Sequence, residues 1–224
     1  RVPVLMYHHI RPMKAVFTAK DRLYTVTPEA FQAQMQALKS AGYTTITPRD
    51  LEAALEGRMI LPGKPVLLTF DDGYREHFTR VFPILKNLDL QATYFIISQA
   101  DKSPAHMTQA MIKEVDQSGR VTIAAHSRHH WFLARLSNAE LQSEVGGAKQ
   151  DLEKLLEHPV LDFAYPFGSW SQTVAYTTKE AGYSLGFGIR LGSLHGESSR
   201  YQLRRIRVLD GENIVPILDA FSNP

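Results

Sequence analysis

Two adjacent carboxylates, Asp71 and Asp72, follow the apolar run Val66 to Phe70 and are closed by Gly73. Asp-Gly is common turn chemistry. Two like charges side by side repel, however, and a cation relieves that repulsion while leaving one carboxylate free as a base. Further on stands His126-Ser127-Arg128-His129-His130, with three imidazoles in five residues. His126 and His130 are four apart, so a helical turn or a tight loop can aim both at one ion; His126 with His129 is an alternative pair. The chain has nine histidines and no cysteine, so a metal site must be built from imidazole and carboxylate. His8 follows the apolar run Val2 to Tyr7, and the turn from Tyr165 to Gly168 follows Leu161 to Ala164. His9 points to the opposite side of an extended chain from His8 and reads as structural. His77, His106, His158 and His195 occur singly in polar surroundings and read as surface residues.

Positioning these groups requires elements that bring distant segments together. Strands are expected at Val2 to Tyr7, Tyr43 to Ile46, Val66 to Phe70, Ala92 to Ile97, Val121 to Ala125, Leu161 to Tyr165, Tyr183 to Ile189 and Leu203 to Leu209. Thr27-Pro28 and Thr47-Pro48 each pair an N-cap residue with proline at the first helical position. A further helix carries Phe78, Val81, Phe82 and Leu85. Ser137 and Glu140 form a capping box for a long helix with Leu141, Val145, Ala148, Leu152 and Leu155 on one face. Ala-Gly-Tyr occurs at 41–43 and 181–183, each time as helix end, glycine stop and strand start. Alternating strands and helices predict an α/β protein with a parallel sheet. In a barrel of that type the carboxyl ends of all strands share one face, where His8, Asp71, Asp72, His126 and the Tyr165 turn would converge.

Composition sets the outer bounds. The chain has 224 residues, 44% of them hydrophobic and 21% charged, which describes a globular protein and excludes a disordered or collagen-like one. No apolar run approaches the roughly 20 residues of a membrane span. With 25 basic and 23 acidic residues and no basic stripe, nucleic-acid binding is disfavoured. No linker or low-complexity tract interrupts the chain, so a single domain over residues 1–224 is expected. It starts at Arg1 rather than Met, which reads as removal of an upstream signal, anchor or further domain.

Thr69-Phe70-Asp71-Asp72-Gly73 resembles the first motif of the polysaccharide deacetylases with a NodB homology domain, carbohydrate esterase family 4. His126-Ser127-x-x-His130 resembles the second, and Leu133 to Ser137 its usual continuation. The third motif, Arg-Pro-Pro-Tyr, is represented by Ala164-Tyr165-Pro166-Phe167-Gly168, so the arginine that orients the catalytic base is missing; Arg205 is a candidate replacement. No clear fourth motif is found, and the Leu-x-His that supplies the general acid is absent from its place near the C-terminus. Val4-Leu5-Met6-Tyr7-His8 instead resembles the opening strand of the circularly permuted branch, which includes poly-β-1,6-N-acetylglucosamine de-N-acetylases of biofilm matrix.

The resemblance implies a distorted (β/α)7-type barrel with permuted motif order and a metal-dependent amide hydrolase acting on N-acetylglucosamine units. Asp72, His126 and His130 would hold one divalent ion, zinc by abundance and ligand type, with nickel, cobalt or iron(II) as alternatives. Asp71 would be the base, His8 the general acid, and the Phe167 N–H part of an oxyanion hole. Tyr74, Trp131 and Trp170 are candidate sugar-stacking residues, each with core packing as the competing explanation. The cluster Arg200, Arg204, Arg205 and Arg207 could meet an anionic polymer, although a solvated strand face is the commoner explanation. The expected substrate is poly-β-1,6-N-acetylglucosamine, with chitooligosaccharide or peptidoglycan as alternatives. Ala164 keeps open a carbohydrate-binding module with a vestigial site. The expected location is extracellular, at the cell surface or periplasmic.

Overall fold

The computed structural model describes residues 1–222. Its first part runs β1 (Val4–Tyr7), β2 (His9–Ile10), α1 (Ala19–Leu23), β3 (Thr25–Val26), α2 (Pro28–Ser40), β4 (Thr44–Thr45), α3 (Pro48–Leu55) and β5 (Pro65–Phe70). A π-helical turn, His77–Val81, leads into α4 (Phe82–Leu88), followed by β6 (Ala92–Ile96), α5 (Gln109–Gln117) and β7 (Val121–Ala125). The last part runs α6 (Asn138–Leu156), β8 (Asp162–Ala164), α7 (Gln172–Glu180), β9 (Leu185–Phe187), β10 (Ile206–Arg207) and α8 (Ile214–Ser222).

The main sheet has the order β10-β1-β5-β6-β7-β8-β9, with β4 added against the start of β5. All of its ladders are parallel. A parallel bridge from Phe187 of β9 to Leu203, just ahead of β10, curls the sheet round on itself. The parallel α/β sheet expected from the alternation of elements is therefore present, curled as the resemblance implies. The first strand lies between the last strand and β5, so the permuted chain order still puts β1 inside the ring. Among the described residues no helix is long and apolar enough to cross a membrane.

Side chains alternate in and out along each strand because the period of a strand is two. One apolar cluster fills the barrel: Val4, Leu67, Phe95, Ala124, Ala164, Leu185, Phe187 and Leu203. The intervening residues, among them Leu5, Leu68, Tyr94, Ile123 and Phe163, pack outward beneath the helices. The same parity carries the inner face upward from Val4 to Met6 and His8, from Leu67 to Thr69 and Asp71, and from Ala124 to His126. Leu203 continues to Arg205 and Arg207. Chemistry-bearing residues thus stand above an apolar plug on one face of the sheet.

Local sequence explains the helices that hold this arrangement. Thr27, Thr47 and Ser137 cap α2, α3 and α6, and the Ser137–Glu140 capping box forms. The structure adds elements that periodicity does not reveal: α1, α5, α8 and the two-residue ladder of β2 with β3. That short ladder pairs His9 with Thr25 and folds residues 9–26 into a wall beside the mouth of the barrel.

Phe95 links the plug to the site, since its ring lies 5.1 Å from Phe187 and 5.5 Å from the Arg205 guanidinium. Phe95→Ala is expected to cost about 4 kcal/mol, as for other buried aromatic truncations. Urea denaturation would read this as a lowered midpoint at unchanged slope.

Candidate active site

A cleft of about 370 Å³ opens at the carboxyl ends of the strands. His8, Asp71, Asp72, His126, His130, Tyr74 and Phe167 all line it, so residues spread along most of the chain meet there. The two adjacent carboxylates avoid repulsion by facing different partners. Asp71 makes a bidentate pair with Arg205, at 2.6 Å from Nη1 to Oδ1 and 2.7 Å from Nη2 to Oδ2. Arg205 also donates to the Gly188 carbonyl and the Thr69 hydroxyl and is fully buried. Burial works against the charge on Asp71, yet Arg205, His126 and His8 hold its carboxyl below the ordinary value.

Asp72 turns away from Asp71 through a left-handed backbone, φ 74°. Its Oδ1 lies 3.4 Å from His126 Nε2 and 3.2 Å from His130 Nε2. His126 donates from Nδ1 to the Ala164 carbonyl at 2.7 Å, which leaves the Nε2 lone pair free to bind a metal. Asp72, His126 and His130 offer ligand atoms all within 4.8 Å of one another. Asp72 Oδ1 is buried with no hydrogen-bond partner. Burial disfavours charge on both Asp72 and His126. Even so, the imidazoles hold the carboxyl well below its usual range, and the carboxylates raise His126. The cluster therefore attracts positive charge, and two imidazoles with one carboxylate suit a divalent transition metal.

Among the described residues, four of the six non-glycine residues with positive φ belong to this site: Asp72, Ser127, His130 and Phe167. The other two, Asp89 and Glu157, are helix C-caps. Backbone of that kind costs about 1 kcal/mol or more per residue and persists where surroundings enforce it. Here they do. His130 N–H donates to Ser127 Oγ, and buried Glu144 of α6 accepts from both the backbone N–H and the ring of His129. Asp151 of the same helix accepts from Arg128, Ser98 and Gln99. His129 is thereby drawn away from the metal-type cluster, which decides between the two imidazole pairings that spacing allows.

His8 Nε2 lies 3.8 Å from Asp71 Oδ2, and its ring meets Tyr24 edge-on. Burial lowers its pKa to about 4, against the raising influence of the two aspartates. His77 is not a surface residue. It is fully buried and donates from Nε2 to the His8 carbonyl at 2.6 Å, fixing the end of β1. His9 pairs with Glu76 at 2.7 Å.

The aromatic residues divide. Tyr74 lines the cleft, its ring stacked between His9 and His106. Trp131 is half exposed and stacks on His129, outside the cleft lining. Trp170 packs against the outer core and donates its indole N–H to Tyr201, so it is a structural residue in this fold. Phe132 has no counterpart in the sequence expectations, yet it is exposed and stacks on Phe167 at 4.1 Å; an aromatic directly after His130 and Trp131 was the available signal. The four C-terminal arginines do not form a solvated strand face. Arg200 is tied to Glu52, Glu56 and Glu197, Arg204 is exposed, Arg205 is buried, and Arg207 enters the cleft.

A family model for polysaccharide deacetylases matches residues 59–186. The chain belongs to that family. A Streptococcus pyogenes deacetylase, PplD, solved in complex with acetate, superposes with a TM-score of 0.92 at 30% identity, covering 100% of this chain and 98% of that one. YxkH of Bacillus subtilis (strain 168) is 29% identical over 94% of this chain and 72% of its own length. The poly-beta-1,6-N-acetyl-D-glucosamine N-deacetylase of Staphylococcus aureus (strain MSSA476) is 24% identical over 97% of this chain and 82% of its own length. The protein is a polysaccharide deacetylase with the fold of that family.

The Asp71–Arg205 pair gives a direct test. With Arg205 present, the lowered Asp71 pKa contributes stability above the ordinary carboxylate range, lost as pH falls through the folded value. Arg205→Met leaves the carboxylate buried and unpaired, so its pKa rises and ionisation becomes destabilising. The variant is expected to lose about 3–5 kcal/mol at pH 7 and less near pH 4, read from denaturant midpoints at both pH values.

Proposed function

We propose that this chain is a metal-dependent de-N-acetylase of poly-β-1,6-N-acetylglucosamine acting outside the cytoplasm. The observation that carries the reading is the orphaned, buried Asp72 Oδ1 facing two imidazole nitrogens, with the Arg205-clamped Asp71 beside it. Supporting the linkage are the relatives named for that polymer, at 23–31% identity. Zinc is the proposed ion, on the ligand types.

Asp72, His126 and His130 would hold the ion, which when bound supplies Lewis acidity to a water and to the acetamide carbonyl. Asp71 takes the proton from the attacking water. Its two oxygens are fixed by Arg205, so the carboxylate meets the water in one orientation and needs no reorganisation. The Phe167 N–H, presented by a left-handed residue at the cleft, serves the developing oxyanion. His8 hands a proton to the departing amine, since a bare amide anion is a poor leaving group. With its pKa near 4 the imidazole rests neutral, so that proton is one taken up during the reaction. Asp71, 3.8 Å from Nε2, is the donor in reach. Water and amide thus become acetic acid and amine: one water proton reaches the nitrogen through Asp71 and His8, and the other leaves on the acid. The alternative of a binding module rested on Ala164; Arg205 brings a guanidinium to Asp71 from another strand, so that ground is gone.

Two measurements test this reading. Asp71→Asn is expected to lower acetate release at least about 10²-fold with metal content retained, whereas Asp72→Asn loses bound metal by elemental analysis. Undiminished turnover in Asp71→Asn would overturn its role as base. On matched oligomers, acetate release is expected to favour β-1,6 over β-1,4 linkages and peptidoglycan; equal rates would overturn the substrate assignment.

A further inference from the structure

β10 presents both of its neighbouring arginines to the inner face, because Arg205 and Arg207 are two residues apart along an extended segment. Arg205 has its charge matched by Asp71. Arg207 does not. Its Nη1 is buried without an acceptor, and it lines the cleft. No carboxylate among the described residues forms an ion pair with it.

The Arg207 guanidinium lies 4.2 Å from the centroid of the Tyr24 ring. Stacking uses the face of a guanidinium and leaves its in-plane N–H groups free to donate, a geometry suited to a carboxylate or a phosphate. Tyr24 also meets the His8 ring at 4.8 Å, so Arg207 is held one ring away from His8. Arg11 and Lys20 line the same wall, and Arg11 Nε is also buried without an acceptor. Asp21 on this wall accepts from the backbone N–H and hydroxyl of Thr18, and its charge is felt by Arg11. Arg207, with Nη1 buried and no carboxylate paired to it, is the cation of this wall placed nearest the His8 ring through Tyr24. Arg207 is half-buried, and a donor held out of water with no acceptor, as its Nη1 is, is costly; a ligand anion removes that cost.

We propose that Arg207 is the anchor of an anion subsite, and that the cleft takes stretches of the β-1,6-linked polymer that carry a phosphate ester or a carboxylate substituent on or next to the acetylated unit. The inference rests on the cleft being the deacetylation site and adds the charge of its substrate.

The test uses three matched N-acetylglucosamine oligomers, one neutral, one bearing a phosphate ester and one bearing a carboxylate. Each is assayed for acetate release and, separately, for affinity by titration calorimetry, with wild type, Arg207→Gln and Arg207→Lys. Wild type is expected to favour one anionic oligomer over the neutral one by about tenfold in kcat/KM, the scale of a charge-assisted hydrogen bond. The arm that wins identifies the anion. That ratio should fall towards one in Arg207→Gln, survive in part in Arg207→Lys, and shrink in high salt. Equal treatment of the three oligomers by wild type, or an unchanged ratio in Arg207→Gln, overturns the proposal. Should wild type release acetate from none of them, the deacetylation reading fails, and the calorimetric ratio still decides the anion subsite. Should Arg207→Gln fail to fold, the salt dependence of the wild-type affinity ratio decides it.

Discussion

Asp71 and Arg205 are both buried inside the barrel, and each requires the other. A lone carboxylate there would take up a proton and a lone guanidinium would be stranded, so the bidentate pair is what makes a charged base possible at this depth. It also sets its neighbours. Thr69 and the Gly188 carbonyl complete the guanidinium, Phe95 lies by it, and His8 lies 3.8 Å from the carboxylate. Once Asp71 is committed to Arg205, the adjacent Asp72 is free to face His126 and His130. The two consecutive carboxylates are separated by facing different partners, Arg205 on one side and the His126–His130 pair on the other.

The pair also explains how the chain manages with Ala164. That residue's side chain belongs to the apolar plug, and its carbonyl orients His126. The guanidinium arrives from the segment leading into β10 and reaches Asp71 across the barrel. Because inner-face residues of non-neighbouring strands meet across the ring, one strand can supply a group that another lacks. The same closure explains why having the His8 strand at the start of the chain leaves the site intact: β1 pairs with β10 on one side and β5 on the other.

The strain in the backbone is concentrated at the chemistry. Asp72, Ser127, His130 and Phe167 all adopt left-handed conformations that side chains disfavour. Buried Glu144 and the half-buried Asp151 of α6 hold the histidine loop in that geometry. A rigid helix thus converts packing energy into the placement of two imidazoles. In the proposed mechanism, the enforced geometry of the histidine loop and the fixed Asp71 carboxylate would both reduce the motion needed when a substrate arrives.

Much of this was legible in the residues themselves. Apolar runs ending in His8, Asp71 and His126 gave the strands and, through their period of two, the face on which the chemistry stands. Thr-Pro pairs and the Ser137–Glu140 box set helix starts, because caps are local interactions. Other features were beyond local reading. His77 looks like a surface histidine from its neighbours, and only the packing of the π-helical turn under β1 buries it. Trp170 sits near the site in sequence but is turned into the outer core by its bond to Tyr201. The wall of residues 9–26 depends on a two-residue ladder too short to show periodicity. Among four nearby arginines, only the curvature of the barrel decides that Arg205 meets Asp71 and Arg207 meets Tyr24. The sequence by itself therefore determined which residue types were available and which strand ends carried them, since those depend on short-range pattern. Tertiary structure alone decided their partners, because which charges neutralise each other inside a closed sheet depends on distances across the ring that no spacing along the chain encodes.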